Sequence, residues 1–288
     1  MSVQEQTPTD HWTADSYNAS ASFVHKLTSK ILTLLSPQPS DHILDLGCGD
    51  GPLTSQIANS SASVVGLDSS GNFITHASKA YASQSNLTFL KQDCAHLDAF
   101  ASAPEHAGKF DKVFSNAALH WILRAVDRRA PTIRAVHTLL KPGGKFVFEM
   151  GGAGNVAEVH AALVYGLVRA GISVEEASEA GPWYFPGEEA MRGLLVGAGF
   201  GVERLEIEYR PTRLEEGEGG GVEGWVRLMG ASMLEKVDER QREGLVKEIT
   251  GVLKSICGRP DGEGGEWLGY VRLRGVARKS SNAERGGG

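Results

Sequence analysis

The sequence has few of the features that mark secreted, membrane-spanning or metal-binding proteins. It contains only three cysteines in 288 residues, and their wide spacing predicts reduced thiols and no metal site. No apolar run approaches the roughly 18 residues of a membrane span. Residues 1–9 lack the basic and then apolar pattern of a signal peptide. We therefore expect a cytoplasmic protein that does not enter a membrane.

The chain also lacks an excess of positive charge, since 29 Lys and Arg stand against 35 Asp and Glu and the formal net charge is -6. Proteins that bind nucleic acid carry a basic face, so this balance argues against a nucleic-acid partner. The 41% hydrophobic and 22% charged residues are typical of a soluble enzyme with one large domain. Nothing in the sequence indicates an obligate protein partner, and the expected partner is a small-molecule substrate.

What the sequence does contain is a short apolar run that ends in three glycines. Residues 43–46 predict a strand that is buried on both faces of a parallel sheet. Gly47, Gly49 and Gly51 then allow a turn in which a ligand lies directly against the backbone. Pro52 suits the first turn of a following helix. Together they predict the opening of a Rossmann-like βαβ unit.

The glycine spacing and its flanking acids favour S-adenosylmethionine over a dinucleotide. A dinucleotide fingerprint needs a third glycine where this chain has Pro52. Asp45 and Asp50 flank the turn, and two carboxylates repel a pyrophosphate but attract an ammonium and a sulfonium. A dinucleotide oxidoreductase is therefore disfavoured, and a glycine turn without any ligand is the remaining structural alternative.

Two further predicted strands end in acids. Residues 62–68 end in Asp68, and residues 87–94 carry Asp93. Because the ligand crevice lies outside the carboxyl ends of the strands in an α/β sheet, these acids and Asp45 are expected to form one site. We expect Asp68 to accept hydrogen bonds from ribose hydroxyls and Asp93 to accept one from adenine. The alternative for Asp93 is that it only caps the next turn.

The second informative stretch follows the fourth predicted strand, which spans Phe110–Ser115. Asn116 stands where the chain leaves the sheet, and His120 and Trp121 follow at a spacing that returns to the site if a helical turn begins at Ala117. An aromatic ring beside a sulfonium offers a cation-π attraction of about 0.5 to 2 kcal/mol. His120 is a candidate base or substrate-orienting group. A packed, hydrogen-bonded corner is the structural alternative.

In the second half of the chain, the regular alternation of one strand with one helix is interrupted by predicted insertions. We expect a helix from Pro131 to Leu140, a substrate lid over about residues 155–187, and a solvated loop over Glu215–Gly224. The aromatic loop of the lid contains Trp183 and Tyr184, which either shape the acceptor pocket or only fasten the lid to the core. A last strand over Trp267–Ala277 is expected to be antiparallel.

These segments together resemble the class I S-adenosylmethionine-dependent methyltransferases, and within them the trans-aconitate methyltransferase-like proteins of the type 11 group. The resemblance spans nearly the whole chain and is carried by Trp12, Tyr17, Leu44–Gly51, Asp68, Asp93, Ser115–Trp121, Leu140–Gly144, Trp183–Pro186 and Tyr270–Arg274. It implies an α/β fold with a Rossmann-like, mostly parallel seven-stranded sheet, helices on both faces, a last antiparallel strand and helical lid insertions. The implied domains are an N-terminal arm (1–20), a methyltransferase domain (21–279) with insertions at about 155–187 and 215–257, and a disordered tail (280–288).

The resemblance also implies a site and an activity. The expected cofactor-binding residues are Trp12, Tyr17, Asp45, Gly47, Cys48, Gly49, Asp68, Ser69, Asp93, Cys94 and Asn116. His120, Trp121, Trp183 and Tyr184 are expected at the substrate, with His120 and Tyr17 as catalytic residues. The expected reaction is methyl transfer to a small carboxylate, which needs no base and leaves S-adenosylhomocysteine. A phenol, amine or carbon acceptor with His120 as base, or a silent regulatory protein that only binds the cofactor, remain alternatives.

Overall fold

The computed structural model describes residues 28–281, apart from residues 216, 218 and 259–263. The predicted arm, with Trp12 and Tyr17, lies outside the described residues. The predicted tail from residue 282 onward also lies outside them.

The described residues form one seven-stranded sheet in the order β3-β2-β1-β4-β5-β7-β6. The strands are β1 (His42–Leu46), β2 (Ser63–Asp68), β3 (Leu87–Lys91), β4 (Phe110–Asn116), β5 (Leu140–Gly151), β6 (Phe200–Arg213) and β7 (Trp267–Lys279). β1 to β5 pair in parallel, and β7 runs antiparallel to both β5 and β6. The predicted fold class, with its last strand antiparallel, is confirmed.

Helices connect the strands and cover the sheet. They are α1 (Ser29–Leu35), α2 (Pro52–Ala58), α3 (Gly71–Ala80), α4 (Asp98–Ser102), α5 (Leu119–Ile122), α6 (Val126–Leu139), α7 (Ala157–Arg169), α8 (Val174–Glu179), α9 (Glu188–Gly197), α10 (Gly221–Met229), α11 (Ala231–Leu234) and α12 (Glu239–Cys257). None of the helices in the described part of the chain has the length and apolar character that crossing a bilayer requires.

Strand β1 is buried on both faces, as its apolar run predicts. Leu44 and Leu46 pack into a hydrophobic cluster with α6, whereas Ile43 packs into a second cluster with α1. Successive side chains of a strand point to opposite faces, so the two clusters lie on opposite sides of the sheet. The glycine turn that follows β1 is therefore fixed at the centre of the molecule.

The predicted start of α6 at Pro131 is wrong, because the helix begins at Val126 and contains Pro131. Two arginine side chains hold the first turns of the helix, one through a distant carbonyl and one through a carbonyl just before the helix. The Nε of Arg128 donates to the carbonyl of Ala95 at 3.0 Å, and the Nε of Arg129 donates to the carbonyl of Leu123 at 2.9 Å. These bonds offset the hydrogen bond that a proline removes from a helix.

The predicted solvated loop over Glu215–Gly224 is also wrong in its last part. Helix α10 begins at Gly221, and both Val222 and Trp225 are buried. The backbone N–H of Val222 donates to the carboxylate of Glu266 at 2.6 Å. The glycine-rich composition thus hides a helix start that depends on a carboxylate 44 residues away.

The two helical insertions pack against each other. Residues 155–187 and 214–257, which we call the helical cap, share one hydrophobic cluster that includes Val159, Leu163 and Ile249. Gly166 permits this close packing, since a Cβ there would lie 2.7 Å from a methyl of Ile249. The cap follows β5 and precedes β7, and so stands next to the carboxyl ends of the parallel strands.

Candidate active site

The glycine turn after β1 has the backbone that only glycine adopts without strain. Gly47, Gly49 and Gly51 have φ angles of +76°, +56° and +92°. The N–H groups of Gly47 and Cys48 both donate to the carbonyl of Leu67, at 2.8 and 3.0 Å. The turn is therefore tied to the end of β2, where Asp68 follows. Pro52 occupies the first position of α2, as predicted.

Asp45 lies beneath this turn and is almost fully buried. Its carboxylate accepts a hydrogen bond from the hydroxyl of Thr54 at 2.7 Å. Burial raises the pKa of Asp45 to about 7, the Thr54 bond opposes that rise, and the charge of Asp68 adds to it. A cationic ligand group beside Asp45 would lower this pKa again and favour the charged carboxylate.

Asp68 is fixed across the glycine turn by two backbone donors. The N–H of Gly49 donates to Oδ2 at 3.0 Å, and the N–H of Ser70 donates to Oδ1 at 2.9 Å. A carboxylate can accept up to about four hydrogen bonds, which is more than these two. This arrangement suits acceptance of two adjacent hydroxyl protons.

Asp93 begins the turn that follows β3. It accepts hydrogen bonds from the N–H of Ala95 at 2.9 Å and from Nδ1 of His96 at 2.8 Å. The expected alternative, that it caps the next turn, is therefore observed, and the same residue also faces the cavity described next.

One cavity of about 880 Å³ lies at the carboxyl ends of β1 to β4. All nine described residues that the sequence predicts for cofactor binding line it: Asp45, Gly47, Cys48, Gly49, Asp68, Ser69, Asp93, Cys94 and Asn116. The two other predicted cofactor residues, Trp12 and Tyr17, lie outside the described residues. The strands thus bring into one cavity residues that are up to 71 positions apart in the chain.

Two of the four predicted substrate residues, Trp121 and Trp183, also line this cavity. Their ring centroids lie 5.7 Å apart in an edge-to-face arrangement. Trp183 also stacks on Phe185 and contacts Trp225 of the helical cap. The aromatic loop therefore forms part of the cavity wall and also packs against the helical cap. The sequence had left these two positions open as alternatives.

His120 packs against the loop that carries Phe185. It is buried, and it is absent from the described lining of the cavity. Its Nδ1 accepts a long hydrogen bond from the N–H of Gly151 at 3.4 Å, and its ring packs on Phe185. Burial, followed by the charge of Arg272, lowers the pKa of His120 to about 3. These are the contacts of a packed, hydrogen-bonded corner, and the role of His120 as a base stays a prediction.

Tyr184 also lies outside the described lining of the cavity and packs against the core. Its ring contacts a residue of the cavity wall, because the central carbon of the Arg129 guanidinium lies 3.5 Å from the ring centroid. Arg129 does line the cavity, together with Arg124 and Glu179. Sequence reasoning missed these three residues. Arg124 and Arg129 follow the Ser115–Ile122 stretch closely, and two cations beside a predicted ligand site were the available signal.

The three cysteines have little exposure to solvent. Cys48, Cys94 and Cys257 are buried free thiols, and burial raises the pKa of each one. In the part of the chain that the structure describes, no group of three or more His, Cys, Asp or Glu side chains is placed to hold a metal ion.

The strand order and an acid-lined cavity at the carboxyl ends of the parallel strands define the class I methyltransferase fold. A model of the methyltransferase domain family matches residues 44–146, which include all nine described cofactor-site residues. The chain is also 36% identical over 275 residues to an uncharacterized methyltransferase of Schizosaccharomyces pombe, covering 94% of this chain and 99% of that protein. The chain belongs to the class I S-adenosylmethionine-dependent methyltransferases.

Two further proteins are similar to this chain in part of its sequence or in its fold. It is 34% identical over 114 residues to the trans-aconitate 2-methyltransferase of Deinococcus radiodurans, covering 38% of this chain and 40% of that protein. The crystal structure of an S-adenosylmethionine-dependent methyltransferase from Methanosarcina mazei superposes with a TM-score of 0.51 at 18% identity, covering 85% of this chain and 95% of that one. The second comparison shows a shared fold.

Proposed function

We propose that this enzyme methylates an oxygen of a small-molecule carboxylate, producing a methyl ester and S-adenosylhomocysteine. The observation that carries this proposal is the extent of the cavity. It holds all nine described cofactor-site residues and continues to Trp121 and Trp183. Its volume of about 880 Å³ is near the upper end of the roughly 300 to 1,000 Å³ of ligand sites. It therefore has room for an acceptor beside the cofactor.

The residues of the cavity fit the parts of S-adenosylmethionine. In the proposed arrangement, the fixed carboxylate of Asp68 accepts hydrogen bonds from the ribose hydroxyls and Asp93 accepts one from the adenine amino group. Asp45 pairs with the ammonium of the methionine end, beneath a glycine turn that exposes its backbone. When bound, the cofactor supplies a methyl group on a good leaving group. Trp12 and Tyr17 remain predicted additions to this site.

A carboxylate acceptor agrees with the position of His120. A carboxylate is already deprotonated at neutral pH, so the protein needs to hold and orient it rather than remove a proton. The alternative acceptors were expected to use His120 as their base, and this histidine is buried with its pKa lowered to about 3. The partial similarity to a trans-aconitate 2-methyltransferase supports the same acceptor chemistry.

The test is transfer of a labelled methyl group. The purified protein is incubated with methyl-labelled S-adenosylmethionine and a panel of small carboxylates, phenols and amines. We expect label in one or more carboxylates, and we expect mild alkali to release it as volatile methanol, because methyl esters hydrolyse in base whereas methyl ethers and methylamines do not.

The control variants separate chemistry from folding. Asp68→Asn should lose most of the transfer, whereas Glu189→Gln, an exposed carboxylate on α9, should retain it. Label that resists alkali would show that the methylated group is a phenol or an amine instead of a carboxylate. Absence of transfer to every acceptor, despite cofactor binding, would favour a silent regulatory protein.

A further inference from the structure

Arg129 is a preorganised guanidinium in the wall of the cavity. Its central carbon lies over the ring of Tyr184, 3.5 Å from the ring centroid. Its Nε donates to the carbonyl of Leu123 at 2.9 Å, and one Nη donates to the carbonyl of Arg124 at 3.2 Å. Stacking and two backbone acceptors thus fix its orientation before any ligand arrives, which reduces the entropy cost of binding.

This guanidinium has no anionic partner among the described residues. Its neighbour Arg128 forms an ion pair with Asp98, whereas neither Arg129 nor Arg124 has a described carboxylate within ion-pair distance. Glu179 lines the same cavity and still does not pair with either arginine. A half-buried charge that is oriented by the protein and left unpaired indicates a ligand anion as its partner.

The charges around the cavity locate where an anion is tolerated. Five acidic residues line it, so most of its wall repels an anionic acceptor. They are Asp45, Asp50, Asp68, Asp93 and Glu179. Arg124 and Arg129 are the only Lys or Arg residues in its described lining. Coulomb attraction therefore draws a carboxylate to the wall formed by α6 and the segment before it.

We propose that Arg129, assisted by Arg124, binds an anionic group of the acceptor other than the oxygen that is methylated. Arg129 is then a specificity-determining residue that selects acceptors with two or more anionic groups. This inference rests on the proposed function. The remaining Nη–H groups of Arg129 can donate to either a planar carboxylate or a phosphate, and the shared chemistry is a second oxyanion on the acceptor.

Tyr184 gives this site a link to the predicted lid. The ring of Tyr184 supports the guanidinium, and its backbone N–H donates to the carbonyl of His120 at 2.8 Å. The aromatic loop is therefore attached on one side to the segment after β4 and on the other to the anion-binding arginine. Tyr184 is a positioning residue for Arg129 in this arrangement.

The experiment measures binding of anions to the full-length protein saturated with S-adenosylhomocysteine. The probes are malonate, succinate, glutarate, propane-1,2,3-tricarboxylate, 3-phosphonopropionate and the monoanion butyrate, with Kd measured by calorimetry. The variants are Arg129→Met, Arg129→Lys and Tyr184→Leu. Arg134→Met, an exposed arginine on the same helix, is the matched control, and circular dichroism and melting confirm that each variant is folded.

We expect at least one multiply charged probe to bind the wild type and the Arg134→Met variant with the same Kd. Arg129→Met should raise that Kd about tenfold or more, Arg129→Lys should recover part of the loss, and Tyr184→Leu should give an intermediate loss. Tighter binding of 3-phosphonopropionate than of the dicarboxylates would identify the second oxyanion as a phosphate. The affinity for S-adenosylhomocysteine should be unchanged in every variant.

Three results would overturn the inference. The first is that no multiply charged probe binds the wild type. The second is an unchanged Kd in Arg129→Met. The third is a loss of S-adenosylhomocysteine affinity in Arg129→Met, which would make Arg129 a cofactor ligand. Failure of the wild type to bind S-adenosylhomocysteine at all would instead contradict the proposed function.

Discussion

The hydroxyl of Thr54 donates a 2.7 Å hydrogen bond to Oδ2 of Asp45, and both residues are buried beneath the glycine turn. The bond stabilises the charged form of a carboxyl group whose burial favours the neutral form, and the result is a pKa of about 7. The ligand-free protein thus holds an acid that titrates close to neutral pH at the proposed methionine end of the site.

The affinity for S-adenosylhomocysteine should therefore depend on pH. Below about pH 7 the ligand-free protein carries protonated Asp45, and an ammonium group binds the charged form better, so binding must release a proton. The affinity should fall as pH is lowered from 8 to 6, by at most about tenfold per unit. Calorimetry in buffers of different ionisation enthalpy measures both the affinity and the released proton.

Asp45→Asn should bind weakly and show much less of this pH dependence. Thr54→Val should raise the midpoint of the profile, because it removes the bond that lowers the pKa of Asp45. Ser55→Ala is the control on the same helix, since the Ser55 hydroxyl bonds to Gln84 instead. An unaltered pH profile in Asp45→Asn would show that another group titrates.

Substitution of Gly47 should damage both the fold and the site. A Cβ on Gly47 would lie 2.2 Å from the Cβ of Ala118, at a φ of +76°. We expect Gly47→Ala to lower the free energy of unfolding by about 2 to 4 kcal/mol. Gly193→Ala is the opposite case, because Gly193 lies within α9 with nothing within 4 Å of its Cβ position. It should stabilise by about 0.5 to 1 kcal/mol.

Urea unfolding measures both glycine variants. A Gly47→Ala protein as stable as the wild type would show that the glycine turn can move away from Ala118.

His120 should destabilise the protein in acid rather than act as a base. Its pKa is about 3 when folded and 6.5 in its ordinary state, so the unfolded chain binds an extra proton between these values. The free energy of unfolding should therefore fall as pH falls below about 6.5, by on the order of 1 kcal/mol per pH unit from this residue. His120→Asn should reduce this slope.

His76→Asn, at an exposed histidine on α3, should leave the acid slope unchanged. The methyl-transfer rate of His120→Asn should keep the wild-type dependence on pH. A loss of turnover that high pH restores, with unchanged cofactor affinity, would instead assign His120 the role of base.

Glu149 should be the most costly single carboxylate to remove. It is buried on β5 and pairs with Arg274 and with Arg210, at 3.0 Å in the latter case. Glu149→Gln leaves arginine charge buried beside a neutral group, so we expect a loss of about 3 to 5 kcal/mol. Glu203→Gln, which removes a partly exposed carboxylate paired with Lys145 and Arg278, should cost about 1 kcal/mol or less. Chemical denaturation measures both variants. Equal losses of unfolding free energy in Glu149→Gln and Glu203→Gln would contradict the claim that burial makes the Glu149 ion pairs more costly to break.

The parts of the site that the sequence predicted are those encoded locally. The glycine turn, Pro52 and the acids at the ends of β1, β2 and β3 each follow from a short segment, and a parallel sheet brings the ends of such segments together. The alternating pattern over Trp267–Ala277 likewise predicted a last strand, which is antiparallel to its neighbours.

The parts that it missed depend on contacts between distant residues. The start of α6 before Pro131 depends on the carbonyl of Ala95, and the start of α10 depends on Glu266. The spacing of His120 predicted that it would approach the site, but Phe185 and Gly151 determine where its ring lies. The orientation of Arg129 depends on Tyr184, 55 positions later in the chain.

The most direct measurement is calorimetric binding of S-adenosylhomocysteine and of NAD to the wild type, Asp68→Asn and Glu189→Gln. We predict that S-adenosylhomocysteine binds the wild type and Glu189→Gln alike and that NAD does not bind. Asp68→Asn should weaken S-adenosylhomocysteine binding about tenfold or more, because it removes the negative charge and replaces one acceptor oxygen by an NH2 donor. Unchanged affinity in Asp68→Asn, or binding of NAD in place of S-adenosylhomocysteine, would contradict the assignment of this cavity as the methyl-donor site.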